Sequence, residues 1–564
     1  MVTPMPASSP PVIHWYRRDL RIADNLSLHH AASMGRPVIP IYFLSDWKKS
    51  HLWTGPKRQH FLCGCLASLA KNLETIDGRL IIRHGDAVKG LRQVIKESGA
   101  KDLCFNSDPD PFGKAVEEKI RQLCAELDVR CHTHHDHALH TPDEVLTQSE
   151  LPYKVYTPYS RNWLALEKPL PVGKPKKLNT PAEIKSLPLP ALAHWGLKEP
   201  DAQLPEPGER AARERFKKAL GGIVQHYGNT RDIPSLQGTS RISQDLRFGL
   251  ISIRTIHAEL MKSRAAAKAS ERASIDIYLK ELAWREFYFA ILHHFPNVLE
   301  EEFNREWRGL PWDAPDSNFE AWKTGRTGFP IIDAGMRELL ATGFMHNRVR
   351  MITAMFLTKD LHVDWRLGES YFMQHLLDGE IASNNGGWQW SAGTGADAAP
   401  YFRIQNPWSQ TARYDPQGIY IKRWVPELAA VDPKKFLEPP IDGKPLQTLL
   451  IGKPDPSRAE RFLMHYPHGP HRSNYFTVWR DGDWKVIYHY LPQARTHGDF
   501  FQSGGACYQL FNLKADPFEQ NDLAATEPVH LRRMMEGLIA QTEASQARYP
   551  VAHDGKTRLK PRLP

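Results

Sequence analysis

"SIDIYLKELAWREFYFAILHHF", residues Ser274–Phe295, is helix-length and amphipathic, and its polar positions decide what kind of fold must surround it. Glu281, Trp284, Arg285 and Tyr288 fall at i, i+3, i+4 and i+7, so one helical face presents an acid, large aromatics and a cation. For this helix alone, a solvated ion pair beside a core tryptophan is an equally open reading. A second helical stretch repeats the pattern: "MHNRVRM" sets Asn347, Arg350 and Met351 on one face. The third is "DGEIASNNGGWQW", Asp378–Trp390, where Gly386 and Gly387 allow close approach of a flat ligand and the amides of Asn384 and Asn385 can donate and accept. Three polar-aromatic faces in one helical region suggest a large heteroaromatic ligand. "GTSRIS", Gly238–Ser243, adds hydroxyls and amide donors at an expected helix start, suited to a diphosphate.

Outward from these helices the pattern changes twice. Residues 208–430 read as an all-α domain. Upstream, residues 11–140 alternate β-branched runs ("PVIHWY", "PVIPIYFL", "RLIIRHG", "DLCFN") with helical ones, which predicts an α/β domain with a doubly wound parallel sheet. Residues 141–207 hold twelve prolines and read as a connector without helices or central strands. From 431 to 564, "NYFTVWRDGDWKVIYHY" around an Asp-Gly turn and a last helix in "EPVHLRRMMEGLIAQTEASQ" predict a small α+β module.

Composition narrows the class. The 564 residues are too many for one core; 41% apolar and 24% charged residues describe a water-soluble chain, and no run approaches the roughly 18 apolar residues of a membrane span. The N-terminus "MVTPMPASSPP" is unlike a secretory signal, so a cytoplasmic location is expected. Six cysteines without paired CxxC spacing argue against zinc and a disulfide framework, and no metal is expected. The excess of Lys and Arg over Asp and Glu, 73 to 64, favours a polyanionic partner only if it clusters. "GTGADA" from Gly393 copies a dinucleotide loop but follows no strand, and "CHTHHDHALH" falls on the last strand of the first domain, where alternate histidines face opposite ways.

Taken together, "HWYRRDLRIADN", "YKVYTPYSRNW", "GTSRIS", "LKELAWREFY", "TGFMHNRVRM" and "DGEIASNNGGWQWSAGTGADAAPYFRIQNP" resemble the photolyase/cryptochrome family, in particular class I photolyases that act on cyclobutane pyrimidine dimers, over about Val12 to Leu428. The resemblance implies FAD, active as FADH⁻, contacted by Tyr227, Thr239, Ser240, Arg241, Ile242, Ser243, Tyr278, Arg285, Asn347, Arg350, Asp378, Gly379 and Glu380, with Asn384 at flavin N5. It implies that Glu281, Trp284, Asn347, Met351 and Trp390 contact the extruded lesion, with Arg231, Arg348 and Arg403 on flanking phosphates. Trp388, Trp365 and Trp312 match the family's photoreduction relay, although spacing alone would make them three core tryptophans. The expected partner is UV-damaged DNA and the expected state a monomer; the rival reading is a cryptochrome-like blue-light receptor without repair activity.

Departures from the pattern fall in three places. Glu300 stands where a lysine holds a folate antenna, and "DPDPFG" from Asp108 lacks the expected acid, so the second chromophore, folate or deazaflavin in type, is open. Tyr278 and Phe344 replace tryptophans but remain aromatic. Beyond "WVPEL" the family's usual ending gives way to "PIDGKPLQTLLIGK", "RFLMHYPHGP" and "YQLFNLKADPFEQNDLA", which resemble the C-terminal subdomain of type I sulfatases; the sulfatase nucleophile motif is missing, so a catalytically silent module is expected.

Overall fold

The computed structural model describes residues 9–46, 51–397, 404–437, 461–466, 475–495, 501–503, 506–551 and 557–564. The chain divides into two compact units, Met1–Pro439 and Pro440–Pro564.

The first unit begins with strands β1 (Val12–Tyr16), β2 (Val38–Leu44), β3 (Ile81–His84), β4 (Asp102–Asn106) and β5 (Arg130–His134), alternating with helices α1 (Leu26–Ser33), α2 (Pro56–Glu74), α3 (Ala87–Ser98) and α4 (Pro111–Glu126). All neighbouring strands are parallel, in the order β3-β2-β1-β4-β5. β1, β2 and β4 are buried along their whole length, as expected for strands covered by helices on both faces. β5 is a partly exposed edge that takes only the first half of the histidine-rich run. Because the chain winds one way from β1 to β2 and the other way from β4 to β5, the carboxyl ends of β1 and β4 form the topological switch point where ligands of such sheets bind.

The proline-rich connector does hold one helix, α5 (Tyr156–Ala165), contrary to the sequence expectation. Pro158 lies in its first turn, where a missing N–H breaks no bond, and Tyr156, Tyr159 and Trp163 are buried. Thereafter the unit is helical: α6 (Glu209–Lys218), α7 (Val224–Thr230), α8 (Ser243–Arg247), α9 (Ile253–Ala266), α10 (Ala269–His294), α11 (Ser317–Thr324), α12 (Pro330–Thr342), α13 (Asn347–Met355), α14 (Trp365–His375), α15 (Ile381–Ala392), α16 (Pro407–Tyr414) and α17 (Ile419–Trp424). Buried ion pairs join the sheet to these helices: Arg254 reaches Asp24 at 3.0 Å and Asp136 at 2.6 Å, and Arg18, just after β1, reaches Glu380 at 2.8 Å. Paired this way the charges are tolerable; removing one partner would strand the other in a low-dielectric interior.

The second unit is an antiparallel sheet, in the order β10-β8-β7-β6 with β9 beside β8, formed by β6 (Arg461–Tyr466), β7 (Phe476–Asp481), β8 (Trp484–Arg495), β9 (Phe501–Ser503) and β10 (Ala506–Asn512). Helix α18 (Pro528–Ala544) lays Met534, Met535 and Leu538 on Trp479, Val486 and Leu510. Gly537 is required there, since a β-carbon would stand 2.6 Å from Trp479 Nε1.

Candidate active site

α15 packs against both α10 and α13, which brings the three polar-aromatic stretches onto neighbouring helices. The close approach depends on α15's paired glycines. A β-carbon on Gly386 would lie 2.1 Å from Tyr288 Cδ1 on α10, whereas at Gly387 it would meet nothing within 4 Å. One glycine thus lets two helices touch, and beside its neighbour there is open space on α15 between Asn384 and Trp390, the candidate concavity.

Glu281 and Trp284 on α10 and Trp390 on α15 are each partly buried. Tyr156 of α5 stacks on Trp284, ring centroids 3.6 Å apart and planes 9° from parallel, and its hydroxyl donates to Lys280 O at 2.7 Å, so the indole is held as a fixed platform. Glu281 pairs with Arg231, and burial raises the carboxyl's proton affinity against the pull of that guanidinium. Asn347 is exposed at the start of α13, and Arg348 pairs with Asp232 at 2.7 Å beside Met351. Arg231 and Arg348 therefore reach the rim already partnered by carboxylates. Arg403 lies outside the described residues.

The deeper wall carries polar groups held in place by backbone. Arg350 donates to both oxygens of Asp378, at 3.1 and 2.9 Å, and to Met345 O at 2.7 Å. Asn384 is oriented by donating to Glu369 O at 3.1 Å, which leaves its amide oxygen for a ligand. Ser240 and Tyr278 share a 2.7 Å hydrogen bond, Tyr227 packs edge-on to Tyr278 at 5.0 Å, and burial pushes the Tyr278 hydroxyl up to about 12. Ser243 opens α8 as the sequence suggested; Thr239 is half-buried, and Arg241 and Ser243 are exposed. Arg241 adopts φ 51° with its guanidinium 3.9 Å from the Phe344 ring centre. A non-glycine residue in that region stores strain of order 1 to 3 kcal/mol, a cost that clusters at ligand sites.

Four expected cofactor residues serve the fold with at least part of their polar capacity. Ile242 is 3% exposed, its side chain in the core, so only its backbone can face a ligand. Gly379 O accepts from Arg247 at 2.8 Å. Glu380 caps α15, accepting from Ala382 N at 3.1 Å and Ser383 N at 3.4 Å, while its other oxygen meets Arg18. Arg285 donates to His137 O at 2.6 Å and lies over Phe289, and burial brings it down to about 10.

Trp388, Trp365 and Trp312 belong to one apolar cluster that grades from fully buried to partly exposed. Trp388 packs edge-on to Phe372 at 4.9 Å, with room made by Gly368; Trp365 donates to Glu302 at 3.2 Å; Trp312 lies 5.4 Å from His362. Tyr156, Glu369 and Arg18 were not singled out from sequence. Their roles arise from contacts with residues up to 362 positions away, for which a single chain carries no signal.

The residues present fit a folded dinucleotide: hydroxyls at 239–243, an ion-paired guanidinium at Arg350 and an open glycine at 387. A family profile described as the FAD binding domain of DNA photolyase matches residues 278–456, and one described as DNA photolyase matches residues 12–176. A deoxyribodipyrimidine photo-lyase of Synechococcus sp. is 38% identical over 436 residues, covering 76% of this chain and 90% of the relative. Among solved structures, a class III photolyase from Agrobacterium tumefaciens superposes with TM-score 0.73 at 35% identity, covering 81% of this chain and 94% of its own, and a Synechocystis sp. cryptochrome with TM-score 0.71 at 27% identity, covering 80% and 95%. With that degree of likeness across both the parallel sheet and the helices that enclose the concavity, the chain belongs to the photolyase/cryptochrome family.

Proposed function

We propose that the protein is a light-dependent DNA repair enzyme that splits cyclobutane pyrimidine dimers, binding FAD in the concavity between α10, α13 and α15. The observation that carries the reading is the pairing of a fixed aromatic platform, Trp284 on Tyr156, with a half-buried carboxylate, Glu281, one helical turn away on the same face. A non-repairing light sensor needs the deep wall but not this outer one. The chemistry that bound reduced flavin would supply is donation of an electron on excitation by light. Asn384, with its amide oxygen free, and Arg350, held by Asp378, would hold the ring, and the guanidinium's positive charge would favour its anionic form. Trp284 and Trp390 replace the stacking that a flipped pyrimidine pair loses, about 1 to 3 kcal/mol per base. Glu281 lies at the carbonyl edge of the dimer, where a proton shared with it stabilises the transient negative charge, and burial raises its affinity for that proton against the pull of Arg231. Trp388, Trp365 and Trp312 lead from the pocket toward the surface and serve reduction of the resting cofactor.

Within the family, "LKELAWREFY" and "MHNRVRM" favour the class I dimer-repair enzymes. The protein acts as a monomer in the cytoplasm; no helix among the described residues is long and apolar enough to cross a membrane. A second chromophore, of folate or deazaflavin type, would bind at the switch point, where charged side chains gather. Arg18 there bonds Asp108 at 2.9 Å and Asp110 at 3.3 Å, and burial together with Asp108 pushes Asp110 up to about 7. Arg58, buried, and Arg247, partly buried, lie close by, and Arg58 has a nitrogen lacking a hydrogen-bond partner among the described residues. The C-terminal unit, by its resemblance to the sulfatase subdomain, is a silent module.

The test is to purify the protein, record its absorption spectrum, and illuminate it with dimer-containing DNA. A flavin spectrum with restored pyrimidine absorbance supports the reading. A flavin spectrum without repair selects the sensor.

A further inference from the structure

Away from the concavity, α10 ends in His293 and His294, and the turn that follows the α/β domain, Pro142–Glu144, brings Asp143 against them. Asp143 Oδ1 lies 3.3 Å from His293 Nε2 and 4.0 Å from His294 Nε2, and His294 Nε2 lies 3.3 Å from Pro142 O. One potential ligand atom from each of the three side chains falls within 4.8 Å of the others. Four-coordinate zinc with bonds near 2.0 to 2.1 Å requires neighbouring ligand atoms about 3.3 to 3.4 Å apart. The cluster already has that spacing on two of its edges. From the chemistry of these groups and their spacing we infer a zinc site formed by His293 Nε2, His294 Nε2, Asp143 and the Pro142 carbonyl.

Two imidazoles, a carboxylate and a carbonyl suit zinc better than magnesium or calcium, which prefer all-oxygen shells. The place is favourable as well: carbonyl groups at the carboxyl end of the 26-residue helix α10 draw a cation. The imidazoles are partly buried and Asp143 is 66% exposed, so the ion has an entry path and only Asp143 has to adjust. Lys114 approaches His293 at Nδ1. With that nitrogen accepting from the ammonium, Nε2 carries the ring proton and donates to Asp143. Zinc at Nε2 therefore requires the ring proton to move to Nδ1 and the Lys114 ammonium to turn away from it, which leaves the number of protons unchanged. A bound ion would tie the turn after the sheet domain to the helix that carries Glu281, Trp284 and Arg285, a clamp remote from the chemistry.

The experiment is calorimetric titration of zinc chloride into the untagged full-length protein, beside the Asp143→Asn/His294→Ala variant. The expected result is one ion per chain at micromolar affinity, and affinity at least tenfold weaker in the variant. Asp143 is exposed and His294 lies at a helix end, so thermal melting without metal should show the variant folded. Identical titrations of the two proteins, or no uptake by either at 100-fold molar excess, would overturn the site. Repair activity is not the readout, so the outcome is separable from the proposed function.

Discussion

Glu281 and Glu286 stand five residues apart on α10, and their surroundings are opposite. Glu286 is 2% exposed and fully engaged, accepting from Leu139 N at 2.6 Å, His140 N at 3.3 Å and the Trp163 indole at 2.7 Å. Glu281 has one arginine, at the edge of a concavity. The same side chain on the same helix is a bolt in one place and a tool in the other. What separates them is unspent hydrogen-bonding capacity, not residue type or helical position.

Substitution should reveal the contrast at its largest on the engaged side. Glu286→Ala strands two amides and an indole N–H, and we expect a loss of about 3 to 5 kcal/mol in urea unfolding, with Glu286→Gln recovering part of it. Glu281→Ala should leave stability within about 1 kcal/mol and FAD bound, yet slow repair at least tenfold, about 1.4 kcal/mol in the barrier. Equal unfolding midpoints for the two variants would erase the distinction, as would undiminished repair by Glu281→Ala.

The glycines of α15 sharpen it. Gly386→Ala drives a methyl into Tyr288 and should cost about 1 to 3 kcal/mol. Gly387→Ala meets open space and should gain up to about 1 kcal/mol of helix stability while weakening flavin retention or repair. If both are neutral in retention and repair, the concavity is not where ligands sit.

Acid should act on the engaged interior before it acts on the concavity. Burial lowers His134, His257, His346 and His375 to about 4 and His14 to about 3. In the unfolded chain these groups titrate near 6.5, so between roughly pH 6.5 and 4 the unfolded state binds more protons. Their stabilisation is complete above that window and is lost as pH falls through it; melting should occur several degrees lower at pH 5 than at pH 7.

Much of this was legible in one sequence. The βαβ alternation follows from period-2 and period-3.6 patterns that the chain cannot hide, and the three polar-aromatic faces follow from helical spacing. The sequence could not say which polar groups would be consumed internally. Glu380 reads as part of a ligand motif, but its carboxylate caps α15 and meets Arg18; Ile242 sits inside "GTSRIS" with its side chain in the core. Helix α5 was missed because proline density outweighed the buried Tyr159 and Trp163, although the one proline within it occupies a first-turn position. The pairs that make these differences lie far apart along the chain, beyond the reach of local pattern.

The Arg18–Glu380 bond carries a consequence for how the molecule comes into being. Ribosomes release the arginine early and its carboxylate partner some 360 residues later. No cofactor pocket can therefore be completed during most of synthesis: the amino-terminal sheet must wait, its cation unanswered from that side, until α15 emerges. Cutting the gene between the sheet and the helices should yield two fragments that mature only together.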